Sequence, residues 1–125
     1  ANYHKDGINA LNNAFAYQGL FIAVKKNKSV EHPLYCYYIN DARTVNVLSQ
    51  PRTLIYVAAN AEVKLVEEEV TIGSSDSFIN KVSEIVVEEN ANVQYDAIRT
   101  ELSGGFVIRA FVNIHQTIVV MNACS

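Results

Sequence analysis

Basic residues, cysteines and long apolar runs are all scarce in this sequence, and each scarcity closes off a class of protein. Ten Lys and Arg against 13 Asp and Glu leave a net charge of −3. Nucleic-acid recognition needs Lys and Arg gathered on one face. The densest basic stretch, Lys25-Lys26-Asn27-Lys28, lies between strand patterns and reads as a solvated turn. No nucleic-acid partner is expected. The longest apolar run is about six residues, LIYVAA at 54–59, whereas a membrane helix needs roughly twenty, so no membrane crossing is expected. Two cysteines, Cys36 and Cys124, are too few for a secreted disulfide scaffold. They suggest a reducing, cytoplasmic setting with buried or idle thiols. The opening ANYHKDG has no apolar signal-peptide core and no initiator Met, so the chain reads as an excised fragment or a trimmed product. Asn27-Lys28-Ser29 has the form of a glycosylation sequon, and without a secretory signal it reads as chance.

Chemical motifs are equally sparse. Gly73-Ser74-Ser75-Asp76-Ser77 lacks the Gly-Lys-Ser/Thr of a phosphate loop. His4 and His115 have no neighbouring Ser or Asp that suggests a triad. His32 and Cys36 would share one face of a strand and both bind metals. Pro33 lies between them, however, and no second pair exists, so no metal site is expected. Glu67-Glu68-Glu69 and Glu88-Glu89 are carboxylate clusters, and a glycosidase needs two carboxylates across a cleft. Neighbours on a strand point to opposite faces, and charge on an edge discourages stray pairing, so a solvated edge is the better reading. Tyr35, Tyr37 and Tyr38 form either an outer patch or packed amphipathic strand residues, the second being the commoner use. Gly104-Gly105 reads as a turn. No catalytic, cofactor-binding or metal residue is assigned, and the chain is expected not to be an enzyme.

What is present is a core-forming, strand-rich chain: half its residues are apolar, enough for one domain over residues 1–125. Residues 6–17 predict a short amphipathic helix, with Ile8, Leu11, Ala14 and Phe15 on one face, Asp6 as its cap and Gly19 as its left-handed stop. Strands are predicted at 20–24, 33–39, 53–58, 62–72, 83–89, 92–98, 106–116 and 117–121, all rich in β-branched and aromatic residues. Turns are predicted at Lys26-Asn27, Asn40-Asp41, Gln50-Pro51, 73–76 and Ser103-Gly104-Gly105, with 40–51 the longest ambiguous stretch.

A repeat dominates the pattern. Ile55, Val57, Asn60, Ala61 and Val63 recur as Ile85, Val87, Asn90, Ala91 and Val93 at an offset of 30. Ile22, Val24, Asn27 and Val30 form an earlier copy, and a weaker fourth begins at Phe106-Val107-Ile108. The unit is strand, Asn-centred turn, strand, return loop. Residues two apart share a face, so Ile55 and Val57 point inward, Tyr56 outward, and Ile85 and Val87 stack on the first pair. Asn tolerates a left-handed corner, and Asn27, Asn60 and Asn90 in line form an amide ladder. This predicts an all-β parallel β-helix (solenoid) with a short N-terminal helix and coils from about residue 20 to 125. An antiparallel sandwich is the rival, but no Asn-Gly or Asp-Gly joins two adjacent strands.

The order of segments resembles the SufB/SufD family of iron–sulfur cluster assembly scaffolds. It is carried by LNNAF at 11–15, GLFI at 19–22, Gln50-Pro51-Arg52, Asn80 followed by Glu84-Ile85, and Glu89-Asn90-Ala91. Gln50-Pro51-Arg52 and the stretch 78–91 favour the SufD side, and the resemblance runs from about residue 7 to 101, more loosely beyond. It implies a right-handed parallel β-helix. It also implies a non-enzymatic, cytoplasmic scaffold subunit that pairs with a SufB-like paralogue and a SufC-like ATPase, the iron–sulfur cluster being handled by the full complex. Family members are several times longer, and their ATPase-docking helices and cluster-interface Cys and His residues lie downstream of the matched region. Cys36 and Cys124 match none of these, so no site residue is carried over and no cofactor is expected within this chain. An open coil exposes unpaired backbone. The helix is expected to cover one end, and self-association is expected through the other, at 106–121. The alternative function is a carbohydrate-active or carbohydrate-binding β-helix protein.

Overall fold

The computed structural model describes residues 7–15, 17–101, 106–114 and 119–124. Helix α1 (Gly7–Phe15) precedes β1 (Gly19–Val24), β2 (Leu34–Ala42), β3 (Val47–Ser49), β4 (Arg52–Val57) and β5 (Glu62–Gly73). β6 (Ser77–Val87), β7 (Asn92–Glu101), β8 (Phe106–Ile114) and β9 (Val119–Cys124) follow. The chain alternates between two sheets. One runs β1-β4-β6-β8, with β3 in line with β4 against the start of β6; the other runs β2-β5-β7-β9. All pairings are parallel.

The register reproduces the repeat. Ile22, Ile55 and Ile85 are successive partners, and so are Val24, Val57 and Val87. The expected fourth copy is not continued in the register: β8 starts at Phe106, but Phe106 lies opposite Phe78, and Asn113 rather than Phe106 is the partner of Ile85. Asn27, Asn60 and Asn90 take φ of 59°, 58° and 56°, the left-handed region where Asn carries the least penalty. Each corner closes with a three-residue hydrogen bond, from Lys28 N to Lys25 O, Ala61 N to Ala58 O, and Ala91 N to Glu88 O. Asn27 N donates to Ala59 O and Asn60 N to Glu89 O, both at 3.0 Å, so the ladder continues around the bend. Asn60 Nδ2 donates to Asn27 Oδ1 at 3.1 Å, the first rung of the expected amide ladder. Val24, Ile55, Val57, Val63, Leu65, Ile85, Val87, Val93 and Tyr95 fill the space between the sheets beside these corners. At the far bend Gly73 is required: at its φ of 107° a Cβ would lie 2.4 Å from the Ala42 backbone.

Several expectations need correction. Leu11, Ala14 and Phe15 are exposed, and the helix buries Asn12 instead. Gly19 does not stop the helix in a left-handed conformation; it opens β1 opposite Arg52. Asn40-Asp41 is not a turn but part of β2, held there by its pairing to Thr71-Ile72 of the longer β5. The stretch 40–51 contains β3, and β6 begins at Ser77 rather than at 83. Helix α1 packs against β6, beside the break between β3 and β4. The Asp6 cap, His4, the turn at 103–105, and His115 with residues 116–118 lie outside the described residues.

Pro51 explains the position of α1. Val82 N donates to Pro51 O at 3.1 Å. In this parallel register the next bond would run from the nitrogen of residue 51 to Asn80 O, but proline has no N–H. The ladder breaks there, which separates β3 from β4. Asn12 Nδ2 fills the gap, donating to Asn80 O at 2.6 Å and to Pro51 O at 3.3 Å.

Candidate functional site

The inner face of each strand changes character along its length. On β5 the inward residues run Val63, Leu65, Glu67, Glu69, Thr71, all buried. On β6 they run Ser77, Ile79, Lys81, Ser83, Ile85, Val87. The positions remote from the Asn corners are therefore mostly polar, Ile79 being the exception. Thr53 of β4 and the half-buried Cys36 and Tyr38 of β2 join them.

Glu67 is the centre of this polar zone. It is 2% exposed and pairs with Lys81, itself 5% exposed. Lys81 Nζ and the Tyr95 hydroxyl both donate to Glu67 Oε2. The Tyr38 hydroxyl donates to Glu67 Oε1 at 3.4 Å and shares a hydrogen bond with Thr53 Oγ1. Lys81 Nζ also sits 3.8 Å from the centre of the Tyr38 ring, a cation–π contact. A buried carboxylate is tolerated only with such a complement of donors.

Burial, reinforced by the Glu67 charge, holds the Tyr95 phenol well above the ordinary tyrosine range. Burial does the same at Tyr38, where the Thr53 hydrogen bond opposes it and Glu67 adds to it. Both tyrosines therefore remain protonated donors. The Cys36 thiol, opposite Glu67 in the register, is pushed up by burial and by Glu67, with Lys81 opposing. A thiol in such surroundings is a weak nucleophile at neutral pH. The zone is thus a fixed, satisfied charge pair rather than an activated nucleophile.

The solvated-edge reading of the carboxylates is overturned for Glu67 and Glu69, both buried. The alternation itself carried the signal, because Glu67 and Glu69 share the phase of Val63 and Leu65. Glu88 is also engaged: it accepts from the Tyr56 hydroxyl and, at 2.8 Å, from Ala59 N. The Tyr56 and Ala59 hydrogen bonds depress its carboxyl below the ordinary range. Sequence reasoning missed Lys81, Tyr38 and Tyr95 as a group, since nothing local links residues on β6, β2 and β7. His32 is exposed while Cys36 is half-buried. Among the described residues no group of three His, Cys, Asp or Glu is placed to hold a metal. Tyr35 and Tyr37 face outward, each 60% exposed, so the cluster divides between a packed Tyr38 and an outer pair.

Among the described residues no helix is long and apolar enough to cross a membrane. Residues 37–122 match the family described as SUF system FeS cluster assembly, SufBD core domain. Over 119 residues the chain is 29% identical to the iron-sulfur cluster assembly protein SufD of Bacillus subtilis (strain 168), a match covering 89% of this chain and 26% of that protein. The chain thus spans about a quarter of that relative's length. No solved structure matches.

Proposed function

The chain belongs to the SufBD core family of the SUF iron–sulfur cluster assembly system, and on that premise we propose that it is β-helix core from a SufD-like scaffold subunit. In this reading the two parallel sheets are the walls of a solenoid. Its hand is right, since crossovers between parallel strands of one sheet are right-handed in nearly all proteins. The subunit is non-enzymatic and cytoplasmic. It works beside a SufB-like paralogue and a SufC-like ATPase, with the nascent cluster as the cargo of the whole complex.

The observation that carries this reading is the extent of the family match, which takes in the strands from β3 to β8 whole and most of β2 and β9. The interior supports it. Glu67 and Lys81 neutralise each other, and Cys36 is held as a thiol, which suits a load-carrying core better than a reactive one. The test is co-purification. The longer polypeptide that carries this chain, tagged and expressed with its genomic neighbours, is expected to bring down an ATPase and a paralogous scaffold. Recovery of neither, with genes for secreted glycan enzymes beside it, would sink the proposal.

A further inference from the structure

We draw no further inference here: the strongest candidate, the outer edge of β2, which pairs with β5 alone among the described residues and has the exposed Tyr35, Tyr37 and Ile39 along it, carries no proposal because nothing in the structure shows what covers it.

Discussion

Thr53 and Ile55 are two residues apart on the same face of β4, yet they sit in different interiors. Ile55 belongs to the apolar column beside the Asn corners, where equivalent residues of successive repeats stack on one another. Thr53 belongs to the polar zone, where side chains meet across strands that are not equivalent. The apolar zone is repetitive: any Ile or Val there has the same kind of neighbour above and below. The polar zone is singular, because the Glu67–Lys81 pair with its two phenol donors occurs once among the described residues. Repetition stabilises by area and tolerates small changes, whereas a buried charge pair depends on every member being present.

That contrast can be broken most sharply at Lys81. Lys81→Met leaves Glu67 buried without its counter-ion, and urea denaturation should show a loss of about 3–5 kcal/mol. Adding Glu67→Leu to it should return most of that loss, since replacing a whole buried pair with apolar groups is often neutral or better. A double variant as unstable as the single would show that the zone is not organised around the pair. By comparison Ile55→Val, in the repetitive zone, should cost only about 0.5–1.5 kcal/mol.

Next in size is the ladder gap. Asn12→Leu keeps the helix but removes the buried hydrogen bond to Asn80 O, while Pro51 O still accepts from Val82 N, and should cost about 1–3 kcal/mol. Hydrogen exchange should then speed up at β6 before β5. Asn60→Ala puts a residue that tolerates the left-handed region less well than Asn into the corner and removes the amide that bonds Asn27, for a loss of about 1–2 kcal/mol. Asn60→Gly should recover most of it, because glycine meets no such penalty; a glycine variant no better than alanine would shift the credit to the amide ladder.

The smallest effect is electrostatic and lies outside both zones. Glu88 has its pKa lowered in the folded chain by Tyr56 and Ala59. Its contribution is therefore present above the ordinary glutamate value of about 4.3 and fades as pH falls through the lower folded value. Tyr56→Phe should raise the Glu88 pKa, read by NMR titration, and flatten the acid limb of the stability profile slightly.

Much of this was legible beforehand. The repeat, the inward Ile and Val pairs and the left-handed asparagines follow from short-range spacing, and the family resemblance from the order of segments along the chain. The helix ends within two residues of the expected span, but it buries a different face. Apolar periodicity at Leu11, Ala14 and Phe15 points one way, and a hydrogen bond to the Asn80 carbonyl, 68 residues downstream in the chain, turns Asn12 the other. The carboxylates depart from expectation for a related reason. Charge suggested solvent, while the strand's phase, equally visible, directed Glu67 and Glu69 inward.

By itself, then, the sequence determined what repeats: strand phase, corner residue and the stacking of one unit on the next. These are periodic properties, set by a few adjacent side chains and the geometry of an extended backbone. Tertiary structure decided what occurs once. Glu67 met Lys81, Tyr95 and Tyr38 only after four strands had been brought together, and Asn12 found its carbonyls only where Pro51 had interrupted a ladder. A buried polar group settles where its hydrogen bonds are completed, and that place is a property of the assembled sheets rather than of any one segment.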